Sequence, residues 1–236
     1  MPQTKTLNED HWIRLYKECG ALWIHDGNPK RPHALLTSGK HSSGFFNSGL
    51  VTEVPSLLNA ACDRLVVMFE ETMGGVNDVI MKGDYIRLIE RVVGPAMGAI
   101  TIAHCIATSI NKLYDGSCRC AFTEKDDKGG DKRMILKRTA LRHGETVLAV
   151  EDVLTTGGSV ELTVNAVSEA GGETLPYILV LVNRSGLKEV GGKQIVALID
   201  KPMPMWTPEE CPLCKEGSQA IRPKGVENWA ALNADY

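Results

Sequence analysis

The stretch Val147-Leu148-Ala149-Val150-Glu151-Asp152-Val153-Leu154-Thr155-Thr156-Gly157-Gly158-Ser159 joins a buried-strand pattern, two adjacent carboxylates and a small-residue turn, in that order. The apolar run from Val147 to Val150, bounded by Gly144 upstream and by acids downstream, predicts a central parallel strand, because a strand covered on both faces shows no polar alternation. Glu151 and Asp152 then stand at its carboxyl end, where open α/β sheets bind ligands. Past them, Thr155 to Ser159 set hydroxyls and bare backbone ahead of a helical segment, so that N–H groups can converge on a phosphate. Acids for hydroxyls or for a metal-bearing group therefore lie one turn from a phosphate cradle. That suits a ribose 5-phosphate, with Glu151 and Asp152 facing its 2- and 3-hydroxyls and the loop holding its phosphate. A Walker A loop would end in Gly-Lys-Ser/Thr, and a dinucleotide fingerprint would need Gly-x-Gly-x-x-Gly after a strand; this stretch has neither.

Working outward, Asn8 to Cys19 places Trp12, Leu15, Tyr16 and Cys19 on one helical face behind acidic first-turn residues, and Pro55 onward repeats Leu57, Leu58, Ala61, Leu65 and Met68 at helical spacing. Both read as packing helices. Between them, His33 to Asn47 looks like two short extended pieces joined by a polar turn. Arg91 to Ile100 gives a strand that ends in a Gly/Pro/Gly loop, followed by a helix through about Asn111. Arg119 to Phe122 is a short strand, and Glu124 to Arg133, charged and without apolar periodicity, reads as a mobile loop or hairpin tip. Val160 to Ala170 is a helix closed by Gly171-Gly172, Tyr177 to Val182 another buried strand, and Asn183-Arg184-Ser185-Gly186 its end. Strands alternating with helices predict a parallel sheet with right-handed crossovers.

At 236 residues, 43% hydrophobic and 23% charged, the chain can bury a sizeable core. A net charge of -3 argues against a general nucleic-acid surface. Seven scattered cysteines and no N-terminal apolar segment before a cleavage site suit a reduced, cytoplasmic protein, and no apolar run approaches the ~20 residues of a membrane span.

The Glu151–Ser159 string resembles the PRPP-binding motif of type I phosphoribosyltransferases. Four stretches in order resemble the orotate phosphoribosyltransferase family: Leu36-Thr37-Ser38-Gly39-Lys40-His41-Ser42 with Phe45-Phe46-Asn47, then Gly94-Pro95-Ala96-Met97-Gly98, then Phe122 to Lys125 with its loop, then Glu151 to Ser159. The resemblance implies an α/β fold with a mostly parallel central sheet flanked by helices, a small hood region and a flexible active-site loop. It divides the chain into an N-terminal helix and hood-forming segment (1–50), a core (51–200) and an extended tail (201–236). It implies transfer of the phosphoribosyl group of PRPP to orotate in pyrimidine synthesis, with Mg²⁺ carried by PRPP near Glu151 and Asp152 rather than by direct protein ligands. PRPP would be held by Lys40, Lys125, Lys128 and the run Glu151, Asp152, Val153, Leu154, Thr155, Thr156, Gly157, Gly158 and Ser159. Orotate would be bordered by Phe45 and Phe46, touched by Thr155 and bound by Arg184, whose guanidinium suits a planar anion. Lys125, Lys128 and Asp152 would be the catalytic groups, the lysines reaching the neighbouring site of a homodimer. No nucleic acid or membrane partner is implied. Transfer to another nucleobase, or PRPP sensing by a regulator of the same fold, are the alternatives.

Several positions depart from the commonest pattern. Thr37 and Gly98 stand where many relatives have Lys, Glu124 where many have Arg, and Gly130 near where many have a loop His. This leaves Lys40, Lys125, Lys128 and the Lys137-Arg138 pair as candidates for holding pyrophosphate. A longer branch of the family shares the Gly-Pro-Ala-Met-Gly loop and a Cys-Pro-x-Cys tail. Cys211-Pro212-Leu213-Cys214 has the spacing of half a zinc ribbon and would need two more ligands; Cys118-x-Cys120 is the only other close pair. Six histidines without metal spacing add no case for a catalytic metal, so reduced thiols in an extended, proline-rich tail are the first expectation, ahead of zinc or a redox pair.

Overall fold

The strand read at Val147 runs further than its apolar residues. In the computed structural model, which describes residues 7–73, 88–114, 116–126 and 132–236, it spans Thr146–Leu154 and so carries both acids within it. Charge ends an apolar run in the sequence, but it does not end a strand whose neighbours continue alongside. The pairings Glu151 with Val180 and Val153 with Val182 keep the ladder going past the last buried valine.

In chain order the first elements are α1 (Glu9–Glu18), β1 (Leu22–Ile24), β2 (His33–Leu35), β3 (His41–Ser42), β4 (Gly44–Phe46) and α2 (Gly49–Thr52). There follow α3 (Pro55–Met73), β5 (Arg91–Pro95), α4 (Ile100–Tyr114), β6 (Arg119–Lys125), β7 (Met134–Ile135), β8 (Thr146–Leu154), α5 (Gly158–Glu169), β9 (Glu173–Asn183), β10 (Glu189–Val190) and β11 (Lys193–Asp200). The last are β12 (Met205–Trp206), α6 (Pro212–Lys215), β13 (Ala220–Ile221) and α7 (Val226–Asn233). The chain divides into two compact units, one of Met1–Val51 with Lys201–Tyr236, the other of Thr52–Asp200.

The larger unit is a sheet ordered β10-β11-β9-β8-β5-β6-β7. Its five inner strands are parallel, and short antiparallel strands close both edges, which limits edge-to-edge pairing. The predicted parallel sheet is thus present, with β8 near its centre. Val147 to Val150 and Ile178 to Val182 are wholly buried, as strands covered on both faces must be. Helix α4 packs on α3 through Ser109 Oγ, which donates to Asp63 Oδ1 at 2.5 Å, and through Cys105 Sγ on Asn59 Oδ1 at 3.3 Å. Strand β6 runs three residues past Phe122 and pairs with β7 through Glu124–Ile135 and Lys125–Met134, so the charged segment opens as a hairpin. Gly130 and Lys128 lie outside the described residues.

In the smaller unit, α1 begins as its sequence demands. The Asn8 side chain accepts from His11 N at 3.1 Å, Glu9 and Asp10 fill the first turn, and Trp12 and Tyr16 are buried. The tail corrects the expectation of an extended loop: β12 and β13 flank the β2–β3 hairpin in the order β12-β3-β2-β13, and α6 and α7 follow the same fold-back. The prolines permit this because they sit between elements or, as with Pro212, at the start of a helix, where the missing N–H has no intrahelical partner to lose. Met203 and Leu213 are buried, and α7 is anchored by Leu232, whose carbonyl accepts from Trp23 Nε1 at 2.8 Å. Among the described residues no helix is long and apolar enough to cross a membrane.

Candidate functional site

Strand β8 delivers Glu151 and Asp152 to the carboxyl end of the sheet. Glu151 is buried and Asp152 half-buried. Each carboxylate is steadied by the next amide: Asp152 N donates to Glu151 Oε1 at 3.1 Å, and Val153 N donates to Asp152 Oδ1 at 2.8 Å. The loop after β5 comes up against Asp152. A Cβ at position 98 would stand 2.6 Å from Asp152 Cγ and 3.0 Å from its Oδ1, so glycine is the residue that lets the carboxylate lie there. This gives a steric reason for the missing lysine at Gly98. The same loop contains a cis peptide between Ala96 and Met97, and Met97 is exposed.

Beyond β8, Thr155, Thr156 and Gly157 turn the chain into α5. Gly157 is the N-cap at φ +83°, and a Cβ there would meet Val190 Cγ2 at 2.7 Å, so both backbone and space call for glycine. No side chain caps this helix. Its first N–H groups have no intrahelical acceptor and sit at the positive end of the helix dipole, with Thr156, Gly158 and Ser159 exposed around them. The sequence string is therefore assembled as an anion cradle beside two acids, both parts within the larger unit. Leu154 enters it differently: its side chain lies in the core with Ala149, Val160, Ile178 and Val180, so only its backbone faces the turn.

Arg184 follows β9, and its N–H donates to Leu154 O at 3.0 Å, which ties the end of β9 to the end of β8. Its side chain is 1% exposed, and burial pulls its guanidinium down to about 10, still cationic at neutral pH. The turn is braced by Asn183, which donates to Leu187 O and Asp200 Oδ1 and accepts from Ser185.

The remaining predicted residues belong to other elements. Phe45 and Phe46 are neighbours on β4, so their rings leave opposite faces and cannot both border one base. Phe46 is 2% exposed with its ring edge-on to Tyr16, whereas Phe45 keeps some exposure and lies beside Trp229. Lys40 is exposed in the β2–β3 turn, and Lys125 is exposed at the end of β6. Glu124 ion-pairs with Arg138, whose Nε donates to Glu124 Oε2 at 3.0 Å, so the acid that replaces a cation brings another cation to the hairpin.

Depressions of about 320 and 230 Å³ are lined by Glu90, Arg119 and Arg142 in one case and by Asn183, Lys188 and Asp200 in the other; neither is lined by Glu151 or Asp152. Cys118 is buried and Cys120 exposed, and neither joins the tail cysteines. Cys211 and Cys214 instead meet His33 and His41, a grouping the linear spacing hides.

Residues 82–203 match the phosphoribosyl transferase domain family. An orotate phosphoribosyltransferase of Caldicellulosiruptor bescii is 33% identical over 217 residues, covering 92% of this chain and 97% of that protein. One from Heliobacterium modesticaldum is 34% identical over 218 residues, covering 92% and 98%. The crystal structure of orotate phosphoribosyltransferase from Aeropyrum pernix is similar in fold, with a TM-score of 0.55 at 22% identity over 79% of this chain and 91% of that one. A family match over half the chain and relatives at a third identity along nearly all of it agree with the acids and anion cradle at the end of β8: the chain belongs to the orotate phosphoribosyltransferase family.

Proposed function

We propose that this chain transfers the 5-phosphoribosyl group of PRPP to orotate, giving orotidine 5′-monophosphate and pyrophosphate in UMP synthesis. The observation that carries the proposal is the acid pair of β8 standing directly before the uncapped start of α5, in a chain a third identical to named orotate phosphoribosyltransferases. In this reading Thr155 to Ser159 hold the 5-phosphate through backbone N–H groups and hydroxyls. Glu151 and Asp152 take the ribose hydroxyls. An orotate ring nitrogen bonds to C1 of the ribose as the bond from C1 to the pyrophosphate oxygen breaks; the electron pair leaves with pyrophosphate, and the proton of the ring nitrogen is released to the departing pyrophosphate or to solvent.

The site has little covalent work to do; it orients the reactants and stabilises charge. Mg²⁺ would arrive on PRPP, near Glu151 and Asp152 but not ligated by them, since such an ion ordinarily fills its shell with water and substrate phosphates. When bound, it would neutralise charge gathering on the leaving pyrophosphate. Lys125 and Lys128 would add cations there from the neighbouring subunit of a homodimer, and closure of their loop would keep water from the ribosyl centre. Arg184 would meet the orotate carboxylate, and Phe45 rather than Phe46 would border the base.

The test is a panel of orotate, uracil, adenine and hypoxanthine, each with PRPP and Mg²⁺, followed by chromatography of the nucleotides formed. Orotidine 5′-monophosphate from orotate alone is the expected result. Turnover of a purine with none of orotate would overturn the base assignment, and PRPP binding without any nucleotide would favour a regulator.

A further inference from the structure

The tail folds back on the β2–β3 hairpin, and four metal-ligating side chains meet where it lands, all inside the smaller unit. His33 is on β2 and His41 on β3; Cys211 is the N-cap of α6 and Cys214 lies within it. One ligating atom from each falls within 4.8 Å of all the others. His33 Nε2 is 3.0 Å from His41 Nδ1, 3.6 Å from Cys211 Sγ and 3.5 Å from Cys214 Sγ, and Cys214 Sγ is 3.2 Å from His41 Nδ1. A tetrahedral zinc with Zn–N of about 2.0–2.1 Å and Zn–S of about 2.3 Å has N–N edges of about 3.3 Å and S–N edges of about 3.5 Å. These four distances lie close to the edges of that tetrahedron.

The surrounding hydrogen bonds orient a ligand as well. Ser218 Oγ donates its one hydrogen to Arg31 O at 2.6 Å, so across the 2.8 Å to His33 Nδ1 it must accept, and the ring proton sits on Nδ1. His33 Nε2 then turns a lone pair to the cluster. A metal-bound imidazole is ordinarily held this way by an acceptor on its far nitrogen.

His33 and Cys211 are 0% exposed, His41 6%, and Cys214 is half-buried; the four protein donors fill a tetrahedral shell, and two sulfurs with two imidazoles select zinc over a hard cation. We propose that His33, His41, Cys211 and Cys214 form a structural zinc site that fastens the C-terminal segment to the β2–β3 hairpin. The Cys211–His33 link joins residues 178 apart in sequence, the kind of long closure from which a metal clip gains most. Strands β12 and β13 lie on either side of it in the sheet, so the metal would pin the middle of a segment already paired at both ends.

The full chain, purified without a histidine tag or chelator, should carry about one zinc per molecule by elemental mass spectrometry. Stripped of metal and titrated with Co²⁺, it should develop the intense visible bands of a tetrahedral site and a thiolate-to-cobalt charge-transfer band, both abolished by adding Zn²⁺. The Cys211→Ser, Cys214→Ser double variant should lose zinc and cobalt spectrum together, and Cys120→Ser should keep both. Should the double variant not fold, the cobalt spectrum of the unmodified chain decides alone. Only the weak spectrum of octahedral cobalt, no zinc retained or rebound at micromolar concentration, a Cys211–Cys214 disulfide in the purified chain, or loss of metal in the Cys120 variant would overturn the site.

Discussion

The two ends of the parallel sheet both carry acids, and they are treated in opposite ways. At the amino end, Glu145 sits just before β8, wholly buried, with Arg91 at 2.9 Å and Arg119 at 2.6 Å on one carboxylate oxygen and the Arg142 amide at 2.8 Å on the other. Beside it, Arg142 pairs with Glu90, which also accepts from Thr146 N. That is a carboxylate whose lone pairs are used within the protein. At the carboxyl end, Glu151 and Asp152 are steadied through neighbouring amides, and Asp152 stands against a glycine that makes room for it. The amino-end acid serves the fold; the carboxyl-end pair is the one the proposed reaction assigns to PRPP.

The comparison breaks most sharply on a double variant. Glu151→Gln with Asp152→Asn keeps shape and removes charge, and should lower kcat/KM for PRPP by about 10³-fold or more, equivalent to about 4 kcal/mol, while changing unfolding free energy by only about 1 kcal/mol. Steady-state kinetics and urea unfolding on the same preparation check both halves. Near-normal turnover would remove the acids from the chemistry.

Glu145→Gln is the mirror experiment. Removing one partner of a buried ion pair leaves Arg91 uncompensated, so a stability loss of about 3 kcal/mol is expected with kcat/KM per folded molecule unchanged. Desolvation raises the Glu145 carboxyl, but the Arg142 amide and the Arg91 and Arg119 guanidiniums outweigh it, and the net shift is downward. A carboxyl depressed in the folded state contributes its full stability above its unfolded value and loses it as pH falls through the folded one. The gap between unmodified chain and variant should thus be widest above about pH 4.5 and close in more acid solution. A gap independent of pH between 7 and 3 would mean that charge is not what Glu145 contributes.

What the sequence made legible follows the same division. The β8 motif is contiguous, so strand, acids and turn could be read in one pass, and the parallel sheet followed from alternation along the chain. The Arg91–Glu145–Arg119 cluster was not legible, because three strands bring it together from positions 26 and 54 residues apart. The hairpin hides His33 and His41 in the same way: eight residues separate them, and only the antiparallel register, with Leu35 opposite His41 and Ala34 opposite Ser42, sets them beside each other. Cys211 and Cys214 were visible as half a site because a helical turn needs only local spacing. Phe45 and Phe46 show the converse: the family resemblance assigns both to the base, and strand alternation on β4 turns their rings to opposite faces.

A smaller effect sharpens the reading of the carboxyl end. Gly98→Ala introduces a Cβ at a position whose φ is an ordinary one, so its consequence is confined to the Asp152 carboxylate it displaces. We expect kcat/KM for PRPP to fall about 10-fold, some 1.4 kcal/mol, with stability unchanged. Full activity in Gly98→Ala would show that the carboxylate works equally well displaced.

The smallest expected effect concerns the Glu124–Arg138 pair. Arg138 is 70% exposed, and exposed ion pairs contribute about 0–1 kcal/mol, so neither Arg138→Ala nor Glu124→Ala should alter unfolding free energy by more than about 1 kcal/mol. Their kinetics should differ. If the pair holds Arg138 near the end of β6 as a substitute for the cation absent at position 124, Arg138→Ala removes a positive charge from the approach to the acids and raises KM for PRPP a few-fold. Glu124→Ala keeps that charge and should change KM less. Moderate salt, which screens exposed charges over about 10 Å, should shrink the difference between the two variants. Equal KM values for both at low salt would return Arg138 to the status of a surface charge, and the groups opposing pyrophosphate would then have to be sought among Lys40, Lys125, Lys128 and Lys137.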